Sequence, residues 1–228
     1  MVEEVGAFRL FRHARIDPFY ADMAVPHRRS DDWPSELARL WSRVANPPLV
    51  EFAVERWPGL AAAVGRSGEL AVLMVLDHPP EPVAVVNQRS MLLSAASSRS
   101  GLAAYLRRVA QFQGGHSGDV EGEIDLVVEA LSDGWLHEAI DGDLESPLGG
   151  ARLLGRPPIA ELAAVWSDPD FRRQGLARAR CAGLLHDFFA RGGRLVWLGA
   201  ATQEARELYR QLGFVAIGSH ISWRLQLV

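Results

Sequence analysis

The residues best suited to chemistry in this sequence lie between positions 161 and 177. An apolar, strand-like segment, residues 161–166, leads through a short polar turn into Arg172-Arg173-Gln174-Gly175-Leu176-Ala177. The last residues of this stretch begin a helical pattern, and the N–H groups at a helix N-terminus lack partners within the helix. The helix dipole makes the same end attractive to anions. The stretch therefore predicts a site for a multiply charged anion such as a pyrophosphate.

The residue types in this turn suit such a ligand. Gly175 lets the backbone approach a phosphate without a Cβ, and Ala177 keeps the first helical turn slim. Arg172 and Arg173 add positive charge beside it.

A second segment contributes an aromatic hydroxyl. It reads Thr202-Gln203-Glu204-Ala205-Arg206-Glu207-Leu208-Tyr209-Arg210-Gln211-Leu212-Gly213-Phe214. Ala205, Leu208, Tyr209 and Leu212 form a stripe at helical spacing, so Tyr209 is expected on the apolar face of a helix. A buried tyrosine can pack its ring and still present its hydroxyl, which leaves both a core role and a chemical role open.

These two segments resemble the acetyl-CoA motifs of the GNAT (GCN5-related N-acetyltransferase) superfamily. The first family motif is Gln/Arg-x-x-Gly-x-Gly/Ala with a proline three positions upstream, matched here by Arg172, Gly175, Ala177 and Pro169. The second is Asn-x-x-Ala-x-x-Leu-Tyr-x-x-x-Gly-Phe, matched by Ala205, Leu208, Tyr209, Gly213 and Phe214. Thr202 replaces the asparagine, which puts the usual polar contact of that position in doubt. The resemblance covers residues 124–225 and is clearest over residues 159–214.

The resemblance implies an acetyl-CoA-dependent N-acetyltransferase, in which a primary amine attacks the acetyl group directly within a ternary complex. It also implies that strands 159–166 and 195–198 part, and that the pantetheine arm of the cofactor lies between them like an added strand. Backbone amides near Val165 and Ser167 would then stabilise the developing oxyanion. The cofactor-binding residues implied in this way are Val165, Trp166, Ser167, Arg172, Arg173, Gln174, Gly175, Leu176, Ala177, Thr202 and Ala205.

Two residues are the catalytic candidates. By resemblance, Tyr209 is the general acid that protonates the departing thiolate. Glu161 lies eleven residues before Arg172, where histone acetyltransferases of the superfamily carry a glutamate base, and burial beside Ala163 and Val165 would raise its pKa. The alternative for Glu161 is a glutamate at a strand end that faces solvent.

A non-catalytic acyl-CoA-binding sensor or scaffold is the competing hypothesis for the whole chain. Tyr209 favours catalysis, whereas the replacement by Thr202 points weakly towards the sensor. His137 and His220 are candidate proton relays, but no histidine pair has the spacing of metal ligands, so no metal is expected. Cys181 lies at helical spacing with apolar residues and is expected in the core.

The elements that must position these residues predict an α/β (α+β) protein with a GNAT fold. We expect a mixed, mostly antiparallel twisted sheet flanked by helices. Helices are predicted between residues 35 and 64 and over 101–112, 123–131, 175–190 and 202–212. Strands are predicted over 70–77, 82–86, 91–94, 135–140, 150–154, 159–166 and 195–198, with two closing strands through Leu225.

The chain is predicted to form two domains, 1–115 and 116–228, joined at the Gly- and Ser-rich stretch 113–122. Residues 99–103 repeat the pattern of residues 173–177, which allows a degenerate GNAT-like copy in the N-terminal region. A substrate-covering domain and a contact within a homodimer are the other interpretations of that region. Because Ser98 stands where Arg172 does in the second copy, we expect the N-terminal region not to bind coenzyme A.

The composition limits the partners. The net charge of -4 arises from 24 basic and 28 acidic residues, and every basic residue is an arginine. This balance argues against nucleic acid as a partner. The longest apolar run, residues 70–76, is too short to span a membrane, and the N-terminus resembles no targeting signal, so a cytoplasmic protein is expected. The sequence leaves the amine acceptor unidentified.

Overall fold

Eleven β-strands and six α-helices occur in the part of the chain that the computed structural model describes, namely residues 2–12, 22–44, 48–65, 68–83, 90–94, 96–113 and 120–224. They divide into two compact units. The first unit comprises Met1–Met74, Gly199–Arg206 and Ala216–Val228, and the second comprises Val75–Leu198 and Glu207–Val215. Each unit combines segments that are separate in the sequence, and the domain boundary after residue 115 stays a prediction.

The strands of the first unit are β1 (Val2–Val5), β2 (Phe8–Arg12), β3 (Asp22–Pro26), β4 (Leu49–Ala53), most of β5 (Glu69–Leu76) and most of β11 (Val215–Arg224). They are ordered β1-β2-β3-β4-β11-β5. β3 and β4 are parallel, whereas β1–β2, β2–β3 and β4–β11 are antiparallel pairs.

Two short helices, α1 (Trp33–Trp41) and α2 (Pro58–Val64), complete the first unit. Each has a proline in its first turn, where the missing N–H is no loss. Asp32 caps α1 by accepting a hydrogen bond from Ser35 N at 3.1 Å. The core of the unit contains residues from both helices and from β2, β4 and β11, including Phe8, Leu40 and Leu60.

The strands of the second unit are β6 (Ser90–Leu92), β7 (Leu136–Gly142), β8 (Pro147–Leu154), β9 (Ile159–Ser167) and the first part of β10 (Leu195–Ala200). Their order is β10-β9-β8-β7-β6. The β9–β10 pair is parallel and the other pairs are antiparallel. The predicted mixed, mostly antiparallel α/β architecture is therefore confirmed.

Helices cover both faces of this second sheet. α3 (Arg99–Gln113) packs on β8 and β9 and on α4 (Val120–Ser132), whereas α5 (Leu176–Ala190) packs on β7, β8 and β9. Gly149 and Gly150 are neighbours on β8 and face opposite sides of the sheet. A Cβ at Gly149 would meet Arg180 of α5, and one at Gly150 would meet Tyr105 of α3. The two helices therefore pack on opposite faces.

The predicted elements around the chemical residues agree with the structure in type and order. α5 ends at the predicted glycine cap, because Gly192 has a φ of 91° and Gly193 N donates to the Phe188 carbonyl at 3.0 Å. α6 (Gln203–Gln211) follows β10, as predicted. Two closing strands were a wrong prediction, because β11 is one strand of ten residues. The strand predicted over residues 82–86 falls partly on residues 84–86, outside the described part of the chain.

Candidate active site

Strand β9 is irregular near its end. Ala164 has a φ of 51°, which is unusual for a residue with a Cβ. The register between β8 and β9 shifts at the same place, from Gly150 opposite Trp166 to Arg152 opposite Ala163. A β-bulge of this kind bends the strand and re-aims the residues that follow it. The end of β9 is therefore turned relative to its beginning.

The parallel pairing of β9 with β10 is short. Within the described residues it runs over three pairs, of which the last joins Trp197 to Glu161. β9 continues beyond this pair to Ser167, and the part of β10 in the second unit continues to Leu198. The two strands thus leave part of their facing main-chain groups out of the ladder, as the prediction of parted strands requires.

The main-chain groups after the bulge alternate in direction. Asp168 N donates to the Leu148 carbonyl at 2.8 Å, so the amide of Asp168 is directed to β8. Alternation along an extended chain directs the amides of Val165 and Ser167 to the opposite side, towards the gap. These are the two amides predicted to lie near the acyl carbonyl.

The turn between β9 and α5 is held by its own polar groups. The Asp168 carboxylate accepts a hydrogen bond from Asp170 N at 3.1 Å and contacts the Arg108 guanidinium through its other oxygen. This carboxylate caps a short 3-10 helix, Pro169–Phe171. Gln174 Nε2 donates to the Asp170 carbonyl at 3.4 Å. The turn is therefore held in place by contacts within the protein.

The N-terminus of α5 is exposed. Gly175 is its N-cap, has a φ of 79°, and provides no side chain to cap the first N–H groups. A Cβ built on Gly175 would have no atom within 4 Å, so the space beside the turn is open. Arg172, Arg173 and Gln174 are also exposed, and Leu176 and Ala177 are half-buried.

The charge around this turn is positive. Arg172 Nε donates to the Ser167 carbonyl at 3.2 Å, which keeps the guanidinium beside the end of β9. Arg173 has a φ of 59°, so two of the three residues from Arg173 to Gly175 adopt left-handed backbone conformations. Successive N–H groups in a turn of this kind form a concave site for anions. The arrangement can bind a phosphate or pyrophosphate.

Tyr209 lies in the second unit, on the last turn of α6. Its ring packs edge-on against Phe214, with 5.8 Å between the ring centroids. Burial raises the pKa of its hydroxyl, the neighbouring Cys181 adds to the rise, and the positive charge of Arg180 opposes it. Tyr209 therefore keeps its proton at neutral pH and can act as an acid, but not as a base.

Glu161 lies in the paired part of β9. Its cross-strand partners are Leu154 on β8 and Trp197 on β10, and its side chain is partly exposed. This position lies at the last β9–β10 pair, where the two strands begin to part. Its role as a base stays a prediction.

Thr202 and Ala205 lie at the start of α6, in the part of that helix that belongs to the first unit. The Thr202 hydroxyl accepts a hydrogen bond from Ala205 N at 3.1 Å and so caps the helix. The predicted contacts of both residues with the cofactor stay predictions.

The two histidines that were considered as proton relays lie in different units. Burial lowers the pKa of His220, whose Nε2 lies 4.0 Å from the Glu51 carboxylate. Burial and the charge of Arg191 lower the pKa of His137.

Cys181 is buried, as expected, and burial raises the pKa of its thiol to about 12.

Sequence reasoning missed a buried ion pair behind the site. Arg180 contacts the Asp141 carboxylate, and their side chains are 0% and 3% exposed. The sequence carries a signal for this pair, because Arg180 shares a helical face with Leu184 and Phe188, where a charged residue is out of place.

No helix of the described residues is long and apolar enough to cross a membrane.

Comparison with known proteins finds a match to one family over part of the chain. Residues 112–214 match the model of the acetyltransferase (GNAT) family, whereas no curated protein matches the chain significantly. The chain is similar to the structure of a GCN5-related N-acetyltransferase from Kribbella flavida, with a TM-score of 0.65 and 18% identity. That similarity covers 97% of this chain and 88% of the other.

Two further structures cover almost the whole chain. A GCN5-related N-acetyltransferase from Sphaerobacter thermophilus has a TM-score of 0.62 and 16% identity, covering 97% of this chain and 78% of its own. A tandem GNAT protein from the clavulanic acid biosynthesis pathway has a TM-score of 0.58 and 13% identity, covering 98% and 80%. These similarities confirm the predicted GNAT fold, and the tandem structure agrees with a GNAT-like N-terminal region.

Proposed function

We propose that the chain is an acetyl-CoA-dependent N-acetyltransferase, since residues 112–214 match the model of the acetyltransferase (GNAT) family. It would transfer an acetyl group to a primary amine that attacks directly in a ternary complex. The observation that carries the proposal is the open N-terminus of α5, where Gly175 has a φ of 79° and free space beside it.

The residues at this turn fit the pyrophosphate of coenzyme A. The first N–H groups of α5 have no side-chain cap, and Gly175 leaves room for a phosphate oxygen to approach them. Arg172 and Arg173 are exposed next to the turn and supply the compensating charge. Gln174, Leu176 and Ala177 complete the proposed binding turn.

The parted ends of β9 and β10 fit the acyl arm. When bound, acetyl-CoA supplies an activated thioester whose carbonyl carbon accepts the amine. The amides of Val165 and Ser167 point away from β8 and can donate hydrogen bonds to a carbonyl oxygen that becomes more negative during the reaction. Trp166, between them, is held to β8 and fixes the position of both.

Two side chains transfer protons in this proposal. Burial keeps the Tyr209 hydroxyl protonated, so its Oη can give a proton to a thiolate. Glu161 can accept the proton that the attacking amine must lose, because a lysine-like ammonium has a pKa of about 10.4 and is not nucleophilic. The C–N bond forms as the C–S bond of the thioester breaks. Starting from an ammonium, the nitrogen loses two protons in all: one leaves through Glu161 to solvent, and one ends on the coenzyme A thiol through Tyr209.

The binding claim is tested by calorimetry with acetyl-CoA on the wild type and on Gly175→Glu. We expect binding to weaken by about 100-fold, because a carboxylate repels the pyrophosphate and fills its approach. Gly134→Glu is the matched control, since Gly134 has a φ of 67° and no atom within 4 Å of a Cβ. Equal affinity for Gly175→Glu and Gly134→Glu would remove this turn from the site.

Catalysis is separated from sensing by a thiol-release screen over amine classes. With an amine that supports turnover, Tyr209→Phe should lower kcat by about 100-fold and leave the affinity for acetyl-CoA unchanged, because only the proton donor is removed. Undiminished turnover in Tyr209→Phe would reject the acid role. Tight acetyl-CoA binding without thiol release on any amine would instead favour a non-catalytic acyl-CoA sensor.

A further inference from the structure

A buried arginine links the start of helix α5 to the end of strand β9. Arg180 lies five residues after Gly175, and its side chain is 0% exposed. Its Nη1 contacts the Asp141 carboxylate. Its Nη2 donates to the Trp166 carbonyl at 2.7 Å and to Ser167 Oγ at 3.4 Å. One guanidinium therefore connects α5 with β7 and with the last residues of β9.

The sheet leaves space for this guanidinium. Asp141, Gly149 and Ser167 are successive cross-strand partners on β7, β8 and β9, and partners of this kind face the same side of a sheet. Gly149, in the middle, has no side chain, and a Cβ there would lie 2.6 Å from Arg180 Nη1. The guanidinium occupies the space that a side chain at position 149 would fill.

Stability alone does not account for this pair. Removing two charges from water is costly, and apolar residues of similar volume often replace a buried ion pair without loss of stability. Arg180 lies on the face of α5 that carries Leu184 and Phe188, where an apolar side chain would pack well. What an apolar residue cannot do is hold the Trp166 carbonyl and the Ser167 hydroxyl in place.

We propose that Arg180 is a positioning residue for acyl-CoA, which fixes the main chain at Trp166 and Ser167 relative to the N-terminus of α5. The inference rests on the proposed function, because it concerns two parts of the same bound molecule. The turn at Gly175 binds the pyrophosphate, and the amides beside Trp166 bind the acyl end. Two such subsites reinforce each other only when their spacing matches the ligand.

The test separates the two subsites by ligand. Arg180→Met combined with Asp141→Leu removes both charges, so no charge is left buried without its partner. We expect its affinity for acetyl-CoA to fall by about tenfold, because the acyl subsite is no longer aligned. Its affinity for adenosine 3′-phosphate 5′-diphosphate, which has the pyrophosphate but no pantetheine arm, should stay within about twofold of the wild type.

A purely structural role predicts another pattern. Arg180→Met alone should lower the thermal midpoint by about 10 °C, and the double variant should recover most of that loss. Wild-type affinity for acetyl-CoA in the recovered double variant would overturn the inference. Equal loss of affinity for both ligands would also overturn it, since the pyrophosphate subsite would then depend on the pair as well.

Arg180→Lys keeps the test decisive if the double variant does not fold. Lysine retains a charge for Asp141 but has no fork that reaches a second acceptor at the same time. We expect a nearly wild-type thermal midpoint with weaker binding of acetyl-CoA and unchanged binding of the diphosphate; unchanged binding of both ligands would contradict the inference. Failure of the wild type to bind acetyl-CoA is distinguishable, because it rejects the proposed function itself.

Discussion

The same pattern of an arginine, a polar residue, glycine, leucine and alanine occurs at the starts of helices α3 and α5. Residues 99–103 are the first residues of α3, whereas in residues 173–177 the helix α5 begins only at Leu176. At α3 the Ser98 hydroxyl accepts a hydrogen bond from Gly101 N at 3.2 Å. A Cβ on Gly101 would lie 2.9 Å from the Leu144 side chain, so the space there is filled. At α5 the corresponding Gly175 has no side-chain cap and no neighbouring atom within 4 Å of its Cβ position.

The arginines differ in the same way. Arg99 donates to Asp125 at 2.6 Å and to Glu121 at 2.9 Å, so carboxylates neutralise its charge. At α5 the counterpart, Arg173, is exposed, and Arg172, which stands where Ser98 does at α3, donates to the main-chain carbonyl of Ser167, which is uncharged. One pattern therefore produces a capped, neutralised helix start and an open, positive one. The residue before the pattern and the side chains packed against it decide whether the N–H groups serve the fold or a ligand.

The polar contacts that hold α3 serve the fold and not the ligand, so their loss should cost stability and leave binding unchanged. The Tyr105 hydroxyl contacts the buried Glu138 carboxylate, which also accepts a hydrogen bond from Arg152 Nη2 at 3.2 Å. Glu138→Leu removes this carboxylate from a buried arginine and should lower the free energy of unfolding by about 3 kcal/mol. Urea unfolding measures this loss, and calorimetry on the folded protein should give an unchanged affinity for acetyl-CoA.

Glu138→Gln is the control for this prediction, because its amide oxygen still accepts hydrogen bonds and its loss of stability should be smaller. A fully folded Glu138→Gln protein that binds acetyl-CoA tenfold more weakly would place α3 in the binding machinery. The comparison between α3 and α5 would then fail.

The local part of the site could be predicted from the sequence. The strand before Ser167, the turn and the helix start at Gly175 each carry a signal within a few residues of themselves. The same holds for Tyr209, whose helical stripe and following Gly213 are read directly from the chain. These elements agree with the structure because turn residues and helical periodicity act over short distances.

The rest depended on contacts between distant residues. Arg180 meets Asp141 across 39 positions, and nothing local to either residue names its partner. The bulge at Ala164 arises from the register with β8, since alanine itself does not favour a left-handed conformation. Two strands were predicted where β11 is one strand of ten residues. This strand pairs with β4, and no local pattern indicates that pairing. Pairing of this kind is decided by tertiary packing more than by propensity.

Alanine at Gly101 and at Gly175 should affect the two helix starts differently. Gly101→Ala places a methyl group against Leu144 and should cost about 2 kcal/mol of stability without changing the affinity for acetyl-CoA. Gly175→Ala keeps open space around it, so its cost should be about 1 kcal/mol, from the φ of 79°. Its methyl group nevertheless stands in the approach to the turn, and binding should weaken by about tenfold.

Thermal unfolding gives the stability of each alanine variant, and calorimetry gives its affinity for acetyl-CoA. The expected result is a crossed pattern, in which Gly101→Ala loses more stability and Gly175→Ala loses more affinity. Similar losses of stability and of affinity in the two variants would mean that the two helix starts have the same role.

The smallest predicted effect concerns the cap of α3. Ser98→Ala removes the hydroxyl that accepts from Gly101 N and should lower the free energy of unfolding by about 1 kcal/mol. Ser98→Asp restores an acceptor at the same position and should recover that loss. Neither variant should change the calorimetric stoichiometry, because Leu144 still fills the space in front of the helix even when its N–H groups are uncapped. A second molecule of acetyl-CoA bound per chain in Ser98→Ala would show that the cap alone had closed this helix start.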